Sequence, residues 1–246
     1  MGTEEGGMIS VCAPVRNEIA FIEAWYHNAL SYADELVVID TGSTDGTKEW
    51  LWDIKDFPGT RLEWKIDRAY YWPEAQIRNL GIRHCHGDWI VDQDADDLVT
   101  QGFLDALPEL TSSTLLFHWL RYRTFWISPN LIRVSDGTRD GRRWDPVIRP
   151  QMFRNQESIR FKRQRGYPTE NHCSLNWHGL GKHSTLLRAE FHPEIAVNHY
   201  HYAFREKECD QYNETRQLHY DGVRCKTYFG PHPPEVKYYG WWKELL

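Results

Sequence analysis

The sequence contains no apolar run that approaches the roughly 20 residues a membrane-spanning helix needs. One of its longest uncharged stretches, residues 110–120, includes His, Ser and Thr. The five cysteines form no C-x-x-C pair, which argues against both a disulfide framework and a zinc cage. The first ten residues, MGTEEGGMIS, are acidic and glycine-rich, unlike a signal peptide. These absences predict a cytoplasmic protein with no membrane span.

The sequence also lacks internal repeats, a G-x-G-x-x-G motif and a Walker A motif, so neither a dinucleotide site nor a P-loop is indicated. Its 246 residues suit one α/β domain, and an apolar fraction of 41% supplies a sizeable core. We therefore predict a single domain over residues 8–205. The aromatic and proline-rich segment 206–246 is predicted to pack on that domain as an arm.

The net charge of −6 is unevenly distributed along the chain. Residues 1–120 carry a net charge of −13, residues 121–165 carry +8, and residues 166–246 carry −1. Two interpretations of the basic block 121–165 stay open. It is either a solvated loop region that balances an acidic half, or a surface that meets a polyanion such as nucleic acid.

The first half alternates strand-like and helix-like segments, which is typical of a parallel sheet covered by helices. The buried strands include ELVVID, 35–40, and DWIVDQ, 88–93. Asn17 is expected to cap the first helix. After residue 120 this alternation fails, and the segment 128–150, rich in Arg, Gly and Pro, predicts long loops. EIAVNHYHYAF, 194–204, has strand composition again.

Four aspartates follow the apolar run WIV within six positions. Carboxylates that follow a buried strand lie at the carboxyl edge of the sheet, where open α/β sheets bind ligands. Asp94 and Asp96 are two positions apart, so on an extended backbone they face the same way. Such a pair attracts Mg²⁺ or Mn²⁺. The alternative is a solvated acidic turn, in which Asp97 alone would cap the next helix.

The second strand ends in the same way, because Asp40 closes LVVID and a glycine-rich turn, TGSTDGT, follows. Gly42 permits close approach of the backbone, and Ser43, Thr44 and the next helix N-terminus offer donors to polar groups of a ligand. Asp40 can accept hydrogen bonds from a base or a ribose. With the aspartate cluster, this turn predicts a pocket for a nucleoside diphosphate.

Three blocks of the sequence, ISVCAPVRNE, ELVVIDTGSTDGT and RNLGIRHCHGDWIVDQDADD, resemble successive blocks of family 2 glycosyltransferases. The resemblance covers about residues 8–110 and implies the GT-A fold, an α/β, Rossmann-like and mostly parallel sheet with helices on both faces. It also implies a loop-rich acceptor side in the second half and a donor site. The residues that it places at the nucleotide sugar are Pro14, Asn17, Glu18, Asp40, Gly42, Arg78, Asp94 and Asp97.

The same resemblance assigns the metal to the D-x-D motif of Asp94 and Asp96. Later blocks resemble a short branch that includes lipopolysaccharide-core-type and peptide-modifying transferases. In them Glu170 keeps the acid of a His-Glu pair, although Thr169 replaces the histidine. His199 is implied as a third metal ligand, while His201 shares its strand face.

The sequence thus predicts a metal-dependent, inverting glycosyltransferase that uses a nucleotide sugar, with UDP as the expected nucleotide. Glu170 is the predicted general base and Asp145 its main rival. The basic block suggests an anionic acceptor, with hydroxymethylated DNA as one example beside glycan-phosphate or protein acceptors. Two alternatives remain: a nucleotidyltransferase of similar fold, and a non-catalytic protein that binds nucleic acid or sugar on a transferase scaffold.

Overall fold

The computed structural model describes residues 7–54, 60–63, 73–126, 128–135, 138–139, 142–143, 148–163, 173–178, 182–200 and 224–239. None of the helices in these ranges is long and apolar enough to cross a lipid bilayer. The helices are α1 (Ile22–Leu30), α2 (Thr47–Ile54), α3 (Glu74–His84) and α4 (Gln101–Ser112), with short 3₁₀ helices at Lys182–Leu186 and Pro234–Tyr238. The strands are β1 (Ile9–Val15), β2 (Glu35–Asp40), β3 (Thr60–Glu63), β4 (Trp89–Asp92), β5 (Asp97–Val99), β6 (Phe117–Trp126), β7 (Ser128–Ser135), β8 (Thr138–Arg139), β9 (Arg142–Arg143), β10 (Ile148–Arg154), β11 (Ile159–Arg163), β12 (Cys173–Trp177), β13 (Ala189–Tyr200) and β14 (Arg224–Thr227).

Ten of these strands form one mixed sheet, ordered β14-β7-β6-β10-β4-β1-β2-β3, with β13 joining β6 to β5. β3, β2, β1 and β4 are mutually parallel, as the alternation of the first half predicts. β10 then runs antiparallel to β4 and to β6, which begins the antiparallel part of the sheet. The fold is therefore α/β, with the nucleotide-site motifs confined to its parallel part.

Successive side chains of each strand point to opposite faces of the sheet and pack into two separate cores, one on each face. Val11 and Val38 point into the core that contains α1. Cys12 and Val37, their immediate neighbours, point into the core that contains Ile82 of α3. Because both faces are covered by helices, the parallel strands read as continuous apolar runs.

The expected cap at Asn17 is wrong, because α1 begins at Ile22 with Phe21 as its N-cap residue. Asn17 instead adopts a left-handed conformation with φ of 56°. Its side-chain Oδ1 accepts a hydrogen bond from Thr44 N at 2.8 Å, and its own N–H donates to Ser43 Oγ at 2.9 Å. Asn17 therefore joins the loop after β1 to the loop after β2.

The long loops expected over residues 128–150 are in part strands, since β7 and the first residues of β10 lie in this segment. β7 pairs antiparallel with β6 and with β14, so this part of the segment belongs to the sheet. At the C-terminal end, Tyr239 packs edge-on against Phe21, with ring centroids 5.5 Å apart. The boundary at residues 205–206 lies outside the described residues and stays a prediction.

Candidate donor and metal site

A cavity of about 380 Å³ opens at the carboxyl edge of the parallel strands. It lies where open α/β sheets bind their ligands, between the loops that follow β1, β2 and β4. Six of the residues predicted for the site or adjoining it in sequence line one wall. The lining includes Pro14, Glu18, Thr41, Arg78, Asp94 and Asp96, together with His199 of β13.

Asp40 ends β2 beside this cavity and organises the turn that follows. Its Oδ1 accepts hydrogen bonds from the backbone N–H groups of Gly42 at 2.9 Å and Ser43 at 3.0 Å. Gly42 has a φ of +97°, which a residue with a Cβ rarely adopts. Asp40 Oδ2 is buried and has no hydrogen-bond partner among the described residues. A buried acceptor without a partner is costly, so this oxygen is a candidate contact for a ligand donor.

Arg78 of α3, which lines the cavity, holds three carboxylates together. Its Nη1 lies 2.8 Å from Asp92, its Nη2 lies 2.8 Å from Asp94, and its Nε lies 2.9 Å from Glu74. Burial lowers the pKa of Arg78, but the charges of these carboxylates outweigh burial and raise it well above its ordinary value. The guanidinium therefore stabilises an acidic cluster that would otherwise repel itself.

Asp97 is the most enclosed aspartate in the described ranges, with 1% of its surface exposed. Its Oδ1 accepts hydrogen bonds from the Tyr122 hydroxyl at 2.9 Å and contacts His199 Nδ1 at 2.8 Å. Its Oδ2 accepts a hydrogen bond from Gln151 Nε2 at 3.2 Å. The backbone explains this meeting, because β5 and β13 pair antiparallel and place His199 directly opposite Asp97. In this geometry Asp97 holds the His199 ring in place.

Asp96 and His199 bring together oxygen and nitrogen atoms that divalent cations bind. Their ligand atoms and that of Asp97 lie within 4.8 Å of one another, and Asp96 Oδ1 is 3.3 Å from His199 Nδ1. Burial lowers the pKa of His199, but the carboxylates of Asp96 and Asp97 outweigh it and raise the pKa to about 9. This field attracts a cation, and a divalent metal would replace the imidazole proton. The residues present therefore fit Mn²⁺ or Mg²⁺.

The structure brings most of the predicted site residues together. Asp94 lies in the cavity wall but is bonded to Arg78, whereas Asp96 and His199 are the closer pair for a metal. Asn17 and Gly42 shape the loops beside the cavity. Glu170, Asp145 and His201 lie outside the described residues, so their predicted roles stay predictions.

Three site residues were missed from the sequence: Tyr122, Arg149 and Gln151. Tyr122 and Arg149 line the cavity, with the guanidinium carbon of Arg149 3.7 Å from the centroid of the Tyr122 ring. All three lie on β6 and β10. β10 pairs antiparallel with β4 and β6, and β6 also pairs parallel with β13, so these residues reach the site only through pairings distant in sequence. The one signal in the sequence was the alternation of buried residues in HWLRYRTF, which marks Tyr122 as inward-facing.

Comparison with known proteins shows which family the first half of the chain resembles. Residues 10–111 match the model of glycosyl transferase family 2. A TPR repeat-containing protein of Synechococcus elongatus is 30% identical over 163 residues, which cover 63% of this chain and 34% of that protein. The chain thus spans about a third of the length of this curated relative.

Solved structures support the same fold. The crystal structure of S. aureus TarS 1–349 has a TM-score of 0.55 at 14% identity, covering 78% of this chain and 60% of that chain. The same fragment in complex with UDP-GlcNAc has a TM-score of 0.53 at 14% identity, covering 78% and 58%. At this identity the likeness to the TarS fragment concerns the fold alone. Residues 10–111, from β1 to α4, are thus similar to glycosyl transferase family 2, and the chain has the GT-A fold.

Proposed function

We propose that this chain is a metal-dependent, inverting glycosyltransferase that transfers a sugar from a nucleotide sugar, with UDP as the nucleotide, to a hydroxyl acceptor. The observation that carries the proposal is the convergence of Arg78, Asp94, Asp96 and His199 around one cavity at the carboxyl edge of the parallel strands. A family 2 domain and a pocket with metal ligands favour transfer over simple binding.

The nucleoside half of the donor is proposed to bind in the loops after β1 and β2. Asp40 Oδ2 supplies a buried acceptor without a partner among the described residues, which suits an N–H of a pyrimidine base. The lining residues Pro14 and Thr41 flank the route from this oxygen to the aspartates. The UDP-GlcNAc bound by the TarS fragment is consistent with a UDP-sugar, although that ligand belongs to TarS.

The diphosphate is proposed to lie against Asp96 and His199, which would hold Mn²⁺ or Mg²⁺. When bound, the ion would supply positive charge to the departing nucleoside diphosphate. The chain itself keeps His199 oriented through Asp97, and Asp97 through Tyr122 and Gln151. Arg78 holds Asp94 in the wall, so the acidic cluster is organised without the donor.

The acceptor side is proposed to include the basic block 121–165, whose Arg149 reaches the cavity beside Tyr122. A guanidinium at this position suits an anionic acceptor, and hydroxymethylated DNA is one concrete candidate. Inversion requires a base that takes the proton of the acceptor hydroxyl. We propose Glu170 for this role, with Asp145 as the alternative.

The donor experiment measures nucleoside diphosphate released from UDP-, GDP- and TDP-sugars, with Mn²⁺, with Mg²⁺ or with a chelator. We expect metal-dependent release from a UDP-sugar. Release of pyrophosphate from a sugar phosphate and a nucleoside triphosphate would instead identify a nucleotidyltransferase. No release from any donor, together with donor binding that survives Asp96→Ala unchanged, would establish the non-catalytic alternative and overturn the proposal.

The acceptor experiment compares sugar transfer to DNA that contains hydroxymethylcytosine with transfer to unmodified DNA of the same sequence. We expect product only with the hydroxymethylated strand, and an affinity for DNA that falls steeply with salt because phosphate contacts release counterions. Salt-independent binding, or release of nucleoside diphosphate that DNA does not stimulate, would remove DNA as the acceptor while leaving the donor reaction intact.

A further inference from the structure

A second group of metal-ligating side chains lies outside the donor cavity, where β6 and β13 begin their parallel pairing. It consists of His118, Glu190 and His192, whose ligand atoms all lie within 4.8 Å of one another. Strand register explains the grouping. Glu190 is paired with His118, and His192 follows two positions later on the same face of β13. None of these residues lines the donor cavity.

The distances suit a tetrahedral metal. His118 Nδ1 is 3.1 Å from His192 Nε2, and His192 Nε2 is 3.7 Å from Glu190 Oε2. A tetrahedral Zn²⁺ with bonds of about 2.0–2.1 Å holds neighbouring ligand atoms roughly 3.3 Å apart. The observed spacings bracket that value, so small side-chain movements would complete the site.

The surrounding groups also prepare both imidazoles for coordination. His118 Nε2 lies 3.0 Å from the carbonyl oxygen of Leu110, which accepts and therefore places the proton on Nε2. Nδ1 of His118 is then left with a lone pair that faces His192. On the far side of His192, Nδ1 lies 3.6 Å from Glu194 Oε1, a carboxylate that favours a proton on that nitrogen. Outer partners of this kind fix the tautomer of metal-bound histidines.

The three side chains differ in their exposure to solvent. His118 is fully buried and the side chain of His192 is 9% exposed, whereas that of Glu190 is 51% exposed. The two nitrogens therefore face each other at hydrogen-bond distance with little water, and a metal ion would replace the proton between them. The half-exposed carboxylate gives an ion a way in from solvent and leaves a coordination position open.

We propose that His118, His192 and Glu190 form a second metal site, selective for Zn²⁺ or a similar first-row transition metal. Two imidazoles and one carboxylate are a ligand set that Zn²⁺ takes, whereas Mg²⁺ favours sites in which oxygen ligands are the majority. The site lies seven positions before His199 on β13, roughly 20 Å along an extended strand. Its ion would join β6 to β13 and is separate from the donor cation.

The test is calorimetric titration of Zn²⁺ into metal-free Asp96→Asn protein, in which the proposed donor-site ligand is already removed. We expect one equivalent of Zn²⁺ to bind and the Tm to rise by several degrees, since a ligand that binds only the native state stabilises it. His192→Gln and Glu190→Gln, each in the same background, are expected to weaken binding at least about tenfold. Glu157→Gln, an exposed carboxylate between β10 and β11, is the matched control and should bind as the parent does.

The outcomes distinguish a metal site from the alternative, in which His118 and His192 only share a proton. Absence of Zn²⁺ binding in the Asp96→Asn parent would overturn the proposal, as would binding that His192→Gln and Glu190→Gln leave unchanged. If His192→Gln fails to fold by circular dichroism, the exposed Glu190→Gln alone decides. Because Asp96 is absent throughout, the result is independent of whether the donor reaction occurs.

Discussion

Asp97 of β5 lies directly opposite His199 of β13, and its Oδ1 is 2.8 Å from His199 Nδ1. The imidazole beside the acidic motif is therefore held by main-chain register as well as by its own contacts. A slip of one residue in this pairing would turn His199 to the other face of the sheet. Asp96 and His199 are the two residues nearest the proposed metal, and the contribution of each can be tested by its own substitution.

Asp96→Asn and His199→Gln should each lower kcat/KM for metal-dependent release of UDP by about 100-fold or more. The physical reason is loss of a ligand to an ion that contributes several kcal/mol to catalysis, at about 1.4 kcal/mol for each factor of ten. Initial rates over a range of Mn²⁺ concentrations measure this. Asp105→Asn on the exposed face of α4 is the control, and wild-type rates in both site variants would contradict the assignment.

Arg78→Met should lower the free energy of unfolding by about 3–5 kcal/mol, because it leaves buried carboxylates without their cation. Arg78→Lys should recover only part of this loss, since one ammonium cannot form the fork that reaches Asp92 and Asp94 together. Denaturant unfolding followed by circular dichroism is the measurement. Arg83→Met, on the exposed side of the same helix, should change stability by no more than about 0.5 kcal/mol. Equal stability of Arg78→Met and Arg83→Met would show that the cluster does not need its guanidinium.

Asp40→Asn should raise the Kd for UDP about 10- to 100-fold with little loss of stability. The amide can keep Oδ1 for the N–H groups of Gly42 and Ser43, but it replaces the acceptor Oδ2 with a donor. A hydrogen bond to a charged group is worth about 1.5–3 kcal/mol, which sets the size of the change. Calorimetric titration of UDP measures it, and an unchanged Kd would place the nucleoside elsewhere.

Glu35 should make the protein more stable at neutral than at acidic pH. Burial raises its pKa, but hydrogen bonds from Ser10 and from His86 outweigh burial and lower it. Because the folded pKa is below the unfolded one, the stabilisation is complete above the unfolded pKa and is lost as pH falls through the folded pKa. Glu35→Gln should therefore cost about 1–3 kcal/mol at pH 7 and progressively less below pH of about 4. Unfolding of both proteins at several pH values measures this, and a difference that grows on acidification would contradict it.

Gly87→Ala and Gly102→Ala should change stability in opposite directions. An added Cβ at Gly87 would lie 2.7 Å from the backbone nitrogen of Ser10, so overpacking should cost about 1–3 kcal/mol. At Gly102, in the first turn of α4, the closest atom is 3.9 Å away, and alanine should add about 0.5–1 kcal/mol through helix propensity. Thermal unfolding of the two variants decides, and a stable Gly87→Ala protein would show that β1 can move away from this turn.

The parallel half of the fold was predictable because local signals and tertiary structure agree there. ELVVID and DWIVDQ are apolar runs that need burial on both faces, and Asp40 and the aspartates after β4 close them in the sequence itself. The placement of these carboxylates at one edge follows from parallel pairing alone. For the same reason Asp94 and Asp96 could be placed at the cavity, whereas Pro14 and Glu18, which also line it, were implied only by the resemblance to family 2 glycosyltransferases.

The antiparallel half was less predictable because its order depends on contacts distant in sequence. β7 has the arginine- and proline-containing sequence SPNLIRVS, and it is a strand because β6 and β14 bond to it on both sides. Tyr122 and Arg149 meet at the cavity only after this sheet has formed. Asn17 shows that local prediction also fails at short range. Its side chain could cap a helix, but it accepts a hydrogen bond from the loop after β2 instead.

The bonds of Asn17 to Ser43 and Thr44 have one more consequence. Two loops that a polar ligand would otherwise have to immobilise are already cross-linked in the folded chain, together with the bond from Glu18 N–H to Thr47 Oγ1. Their conformational entropy is therefore lost during folding rather than during encounter with a donor. The speed of donor capture should depend on diffusion and charge, with no slow rearrangement of these loops in between.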